Sequence, residues 1–131
     1  MVLLFVAIGC ALGGVCRELG MTLASRLLGS AFPWGTLVVN VLGSFLLGAI
    51  LGAGLVPSES APGLERMHAF AALGYCGGLT TFSTFSLQNL TMLSKHQKGR
   101  LMANIFASVA FCLLAAVAGY SIMERWTAGC A

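Results

Sequence analysis

Five serine and threonine hydroxyls, Thr80, Thr81, Ser83, Thr84 and Ser86, crowd into one uncharged run that also holds Gly74, Gly77, Gly78, Phe82 and Phe85. Hydroxyls donate and accept hydrogen bonds without carrying charge, so this set of residues suits replacement of an ion's water better than acid–base catalysis. The run lies in the middle of an uncharged stretch from Met67 to Ser94. As a helix rising about 1.5 Å per residue, that stretch can cross a hydrocarbon layer of about 30 Å. Gly77-Gly78 followed by Thr80-Thr81 serves an unbroken helix poorly, because glycine is permissive and threonine is β-branched. Irregular backbone at membrane depth persists only where protein buries it or where it lines a watery or ionic path. The spacing predicts a broken third span with an ion site at the break. For Gly74 alone, close helix packing is the simpler reading.

Polar residues recur at helical spacing in two other stretches. Thr36, Asn40 and Ser44 fall every fourth residue on an otherwise apolar segment, and Asn104, Ser108 and Cys112 do the same further on. Each set forms one line along a helix. Asn40 matters most, since its amide carries two donors and would be costly against lipid; interhelical bonding for packing is the alternative. Arg17 lies inside or at the edge of the first span, where a cation is expensive and functional by default. It reads as an electropositive vestibule or a structural anchor. Neighbouring helical residues point about 100° apart, so an Arg17–Glu18 side-chain pair is not expected.

These groups are carried by an all-α integral membrane protein. The 131 residues are 58% hydrophobic and 8% charged, with mean hydropathy +0.92, against about 25% charged in soluble domains. Spans are expected at 2–28, 33–56, 67–94 and 100–124, making one four-helix membrane domain over 1–131 with short loops. A cleaved signal peptide is not expected, because no basic segment precedes the first apolar run. Gly9 and Gly13, like Gly48 and Gly52, supply small faces for close helix approach. Loop two, 57–66, reads as an ordinary solvated turn. A net charge of +3 without a basic stripe argues against nucleic acid as a partner. Cys10, Cys16, Cys76, Cys112 and Cys130 form no paired-cysteine motif and read as small packing residues. His68 and His96 fall near span ends and read as interfacial. No Ser-His-Asp set, phosphate loop or carboxylate pair can be assembled, so no enzyme is expected.

Pro33-Trp-Gly-Thr-Leu-Val-Val-Asn-Val-Leu-Gly-Ser-Phe-Leu-Leu-Gly48 and Gly74-Tyr-Cys-Gly-Gly-Leu-Thr-Thr-Phe-Ser-Thr-Phe-Ser86 resemble the two signature blocks of the Fluc (CrcB-like) fluoride channels. The resemblance covers all four spans, and the second block is the specific one. It implies a four-helix subunit in a two-fold homodimer, the protomers lying in opposite orientations in a bacterial inner membrane. It also implies passive fluoride export that relieves fluoride toxicity, two fluoride pathways, and a structural sodium ion at the dimer centre. Carried over, the sodium ligands are the backbone carbonyls of Gly77 and Thr80 from both subunits. Phe82 and Phe85 line the path with Asn40; Thr81, Ser83 and Thr84 neighbour it, and Ser108 matches a polar track on the last helix. Glu18 and Asn104 depart from the pattern, each standing where an aromatic is common.

The chemistry agrees with that resemblance. Fluoride is small and holds water tightly, so a pore must offer donors in exchange, as the Asn40 amide and the hydroxyls can. Phe82 and Phe85 lie three apart, on one helix face, and an aromatic edge is the positive part of the ring. Such edges attract an anion weakly, which suits conduction, where entry must not become trapping. A cation tied to freed carbonyls would satisfy broken backbone and add positive potential. Ordinary packing is the competing reading of the two rings. Two other functions are compatible with the hydrophobicity. A small proton-coupled multidrug exporter would want a lone carboxylate deep in the first span, whereas Glu18 sits beside Arg17. A non-transporting assembly subunit leaves the polar lines unexplained.

With four spans, loops one and three share a face carrying Arg17, Arg26, Lys95, Lys98 and Arg100; the termini and loop two carry Arg66 and Arg125. Setting aside Arg17, which falls in the span, leaves a modest excess. Basic loops decide orientation when the bias is large, so this chain is expected to insert both ways, leaning toward termini outside. A two-fold dimer with its axis in the membrane plane needs both orientations. In intact cells, a single reporter cysteine near the C-terminus should react with an impermeant thiol reagent in about half the copies. Labelling near zero or near completion would mean one fixed orientation.

Overall fold

The computed structural model describes residues 1–29, 32–56 and 62–129, and its elements are all helical. They are α1 (Val2–Leu28), α2 (Trp34–Gly52), α3 (Pro62–His68), the π-helix π1 (Ala69–Cys76), α4 (Gly77–Leu79), α5 (Phe82–Ser94) and α6 (Lys98–Gly129). α1, α2 and α6 are each long and apolar enough to cross a membrane. The third crossing is made in two pieces, α3–π1–α4 and then α5, separated by Thr80 and Thr81. The chain is a multi-pass membrane protein, and its exposed leucines, such as Leu3, Leu12, Leu19 and Leu23 along α1, face outward as lipid requires.

The helix survives the paired glycines and gives way only at the paired threonines. Thr80 (φ −80°, ψ 155°) and Thr81 (φ −145°, ψ 115°) are extended, the conformation that β-branching favours. Their hydroxyls then close the two broken ends. Thr80 Oγ1 donates to Cys76 O at 2.9 Å, and Thr81 Oγ1 accepts from Thr84 N at 3.3 Å as the N-cap of α5. Side chains that compete locally for backbone groups behave in this way at helix ends. π1 is a wider coil than the sequence pattern suggests, and such coils often mark functional regions.

Two turns end in left-handed residues. Gly54 (φ 70°) closes α2, with Gly54 N bonded to Leu51 O and Leu55 N to Ile50 O. His96 (φ 56°) closes α5 by the same pattern, through Leu93 O and Met92 O, so α5 and α6 form a tight antiparallel hairpin. α2 thus stops short of the expected boundary at 56. α6 runs past the expected 124 and carries Glu124 and Arg125 in its last turns. His68 Nδ1 lies 2.6 Å from Leu55 O, so this nitrogen carries the proton and ties the end of α2 to the third crossing. Cys10 and Cys16 are exposed, Cys76 is buried and Cys112 is partly buried, all as free thiols. Cys130 and positions 57–61 of loop two lie outside the described residues.

Backbone-to-backbone contact joins the helices in pairs. α1 packs on π1 and α4, and α2 packs on α6. A Cβ on Gly9 or Gly13 would overlap Phe70 O or Tyr75 O; one on Gly78 would come within 2.5 Å of Cys10 O. Across the second pair, Gly48, Gly52 and Gly119 abut Ala116 O, Tyr120 O and Phe45 O. Lipid gives no hydrophobic push between helices, so close van der Waals and Cα–H···O contact must hold them. α5 differs. It touches chiefly α6 and buries none of its own side chains.

Gly13→Ala should destabilise the fold by about 1–3 kcal/mol, the usual cost of overpacking. Gly14→Ala, whose Cβ meets nothing within 4 Å, should be neutral or better. Unfolding midpoints of the two variants in detergent give the comparison; equal midpoints would mean that the α1–π1 contact is not held by backbone proximity.

Candidate functional site

An open groove of about 450 Å³ runs beside the break. Asn40, Gly43 and Ser44 enter it from α2, Phe82 and Phe85 from α5, and Ser108 and Cys112 from α6. The third crossing contributes Cys76, Gly77, Thr80 and Thr81. Tertiary structure therefore brings together seven of the expected site residues, Asn40, Gly77, Thr80, Thr81, Phe82, Phe85 and Ser108, with Ser44 and Cys112 from the two polar lines. The Phe82 and Phe85 rings stand 5.8 Å apart, tilted by 40°.

At the break, Asn40 makes two reciprocal bonds to one residue. Its Oδ1 accepts from Thr81 N at 2.8 Å, and its Nδ2 donates to Thr81 O at 3.1 Å. The amide thus replaces, on both sides of Thr81, the ladder partners that an unbroken helix would supply. One Nδ2 hydrogen remains for other use. Thr81 is itself buried, so water is a poor substitute for this clamp.

Ser83, Thr84 and Arg17 do not line the groove. Thr81 Oγ1 donates to Thr84 Oγ1 at 3.0 Å and lies 3.3 Å from Ser83 Oγ, which gathers all three hydroxyls at the first turn of α5. Arg17 reaches the other side of the break, where Nη1 donates to Gly78 O at 3.2 Å. A cation at the carbonyl end of a helix opposes its negative dipole end. Arg17 Nε also comes within 3.8 Å of Glu18 Oε1, a contact that neighbouring helical positions do not lead one to expect. Both side chains are substantially exposed, so the pair contributes little.

The two polar lines divide. Asn40 and Ser44 face the groove, while Thr36 is buried with its Oγ1 unpaired among the described residues. On α6, Ser108 and Cys112 face it, whereas Asn104 Nδ2 donates to Asn89 Oδ1 at 2.7 Å. Two residues escaped sequence reasoning. Gly43 is needed because a Cβ there would overlap Thr80 Cγ2; no local pattern announces that contact. Asn89 follows Phe85 by one helical turn, and that spacing could have drawn notice.

Charge is absent from the lining. Neither α2 nor the stretch from Ala69 to Ser94 contains an ionisable acid or base of the Asp, Glu, Lys, Arg or His type. The N-terminus of α5 opens at Phe82 beside the groove, and such an end favours an anion through its free N–H groups and dipole. Among the described residues no cluster of His, Cys, Asp and Glu could hold a metal.

Residues 4–120 match the family described as CrcB-like protein, Camphor Resistance (CrcB). The chain is similar to proteins named fluoride-specific ion channel FluC from several bacteria. It is 42% identical to that of Anaeromyxobacter sp. (strain K), over 97% of this chain and 98% of the relative. It is 42% identical to that of Hahella chejuensis, over 92% of each chain, and 37% identical to that of Methylobacterium radiotolerans, over 96% of this chain and 87% of the relative.

Replacing Asn40 by leucine removes both partners of Thr81. Each buried backbone group left unpaired costs about 1–3 kcal/mol, so Asn40→Leu should lower the unfolding midpoint strongly. Ser44→Ala, one turn along the same line, should change stability by no more than about 0.5 kcal/mol. Equal, small effects in a denaturation series would show that the clamp is not needed to hold the break.

Proposed function

The chain belongs to the CrcB-like family, and we propose that it is a passive fluoride channel that lets fluoride leave the cell down its gradient and so relieves fluoride toxicity. The observation that carries this reading is the groove itself. Two phenylalanine rings, an amide and two serine hydroxyls converge beside a helix N-terminus, with no charged side chain in the lining. Its named relatives are channels, not enzymes.

Fluoride entering the groove exchanges water for neutral donors: the second Asn40 N–H, the Ser108 hydroxyl and the positive ring edges of Phe82 and Phe85. The Thr80 and Thr81 hydroxyls are already donating, to Cys76 O and Thr84 Oγ1. They shape the path and leave the dehydration to their neighbours. Thr84 and Ser83 carry further hydroxyls at the first turn of α5. Several modest attractions in series let the ion enter without being held, which a lysine at the same place would prevent. Arg17, tied to Gly78 O, anchors the break and places positive charge on its far side.

A sodium ion fits the oxygen set at the break. Thr81 N, which in a continuous helix would bond to Gly77 O, is taken by Asn40 Oδ1, and Thr80 lies between the helices. Gly77 is exposed, with open space where a Cβ would be. The carbonyls of Gly77 and Thr80, doubled by a second copy, are hard oxygen ligands of the kind such cations prefer. When bound, the ion would satisfy those oxygens and add fixed positive potential to the neighbouring path.

The second copy is an inverted one, in the inner membrane of a bacterium. Phe82 is 78% exposed in the single subunit, and α5 buries no side chain of its own. An unsheltered pore face of this kind is supported best by a two-fold mate that covers it.

Purified protein in fluoride-loaded liposomes should release fluoride without ATP or a coupled ion, with chloride retained. No release above protein-free vesicles, or equal chloride release, would overturn the channel reading. Phe82→Ile and Phe85→Ile keep bulk and apolarity but remove the ring edge. Each should slow efflux by about tenfold or more, the effect of roughly 1.4 kcal/mol on a barrier. Wild-type rates in both variants, with assembly intact, would make the rings packing residues.

A further inference from the structure

The helix that carries both rings is the least supported element of the subunit. α5 packs chiefly on α6 and buries none of its side chains, yet Phe82 and Phe85 must keep a fixed position over the groove. Among the described residues, one side-chain hydrogen bond ties α5 to another helix: Asn104 Nδ2 to Asn89 Oδ1, at 2.7 Å. Asn104 is 1% exposed, so water cannot readily replace that partner.

The pair also falls in register with the groove. Phe82, Phe85 and Asn89 follow the i, i+3, i+7 spacing of one α5 face. Asn104, Ser108 and Cys112 follow the i, i+4, i+8 spacing of one α6 face. The two helices run antiparallel through the tight turn at His96. Asn89 therefore lies one turn beyond Phe85, and Asn104 one turn before Ser108. The amide bond closes the end of the very stripe whose middle is the groove lining.

We infer that Asn89 and Asn104 are positioning residues, a two-amide latch that holds the Phe82–Phe85 face in register with Ser108. The latch acts through the rings and the serine. Neither asparagine is among the groove-lining residues. This inference rests on the fluoride-channel reading for its flux consequence, but its structural content stands apart from it.

Asn104→Leu and Asn89→Leu remove the bond while roughly keeping side-chain volume. In liposomes each single variant should lower fluoride efflux by about tenfold, the scale of loss expected when supporting contacts let a site relax by a fraction of an ångström. The double variant should lose no more than either single one, because a latch can be undone only once. Multiplying losses would overturn the proposal and make the asparagines independent contributors to the path. A second readout follows the ring directly. With 4-fluorophenylalanine at position 85, the fluorine resonance should be a single narrow line in the parent protein and should shift or broaden in both leucine variants. An unchanged resonance overturns the latch whatever the flux shows. A parent protein that passes no fluoride defeats the channel reading while leaving this spectroscopic test intact. If Asn104→Leu fails to assemble, Asn89→Leu, at a partly exposed position, carries both measurements.

Discussion

Backbone polar groups have no water to turn to inside a bilayer, and the extended pair Thr80-Thr81 frees several of them at once. The rest of the chain is arranged around satisfying them. Asn40 from α2 serves both sides of Thr81, Arg17 from α1 takes Gly78 O, and the threonine hydroxyls close the two helix ends. An unpaired group in hydrocarbon costs several kcal/mol, so a break with these partners is a specified structure and one without them would heal into helix. Two helices, α1 and α2, are thereby committed to the third crossing, where the backbone leaves helical geometry beside the groove.

Such precision needs a stiff frame. Glycines set the frame by letting backbones touch, α1 on π1 and α4, and α2 on α6. Contacts between backbones cannot relax by changing rotamer, so the partners of the break arrive at fixed distances. α5 lies outside this frame. It begins at the N-cap made by Thr81, turns at His96 and returns as α6, and it carries the aromatic face with little burial of its own. The chain therefore combines a rigid cradle with one lightly held helix.

The site chemistry is one of restraint. Asn40 spends one N–H on the backbone and keeps one, while Thr80 and Thr81 spend their hydroxyl protons within the fold. What remains toward the groove is a short series of neutral donors and the two phenylalanine rings. A strong cationic site would bind an anion well and release it slowly; weak sites in sequence favour passage. The positive end of α5 adds to the field without placing a formal charge in the groove.

Much of this was legible in the chain alone. Hydrophobicity and the spacing of charges determined a helical, multi-pass membrane protein, and the glycine-threonine run marked where the helix between Met67 and Ser94 breaks. The i, i+4 lines singled out Asn40 and Ser108, because one helical face is a property of local geometry. Other features depend on what lies across a gap, which no local pattern records. The break falls at the threonines and not at the glycines because Asn40, forty-one positions away, offers partners only to Thr81. Thr36 and Asn104 share their lines with groove residues but leave the groove, since a fourfold spacing fixes a face only approximately and the neighbouring helix decides what each member meets. Gly43 matters for the methyl of Thr80, and Asn89 for the amide of Asn104. Composition and periodicity determined which side chains could reach an interior; only the approach of the helices decided which backbone and side-chain partners they found there.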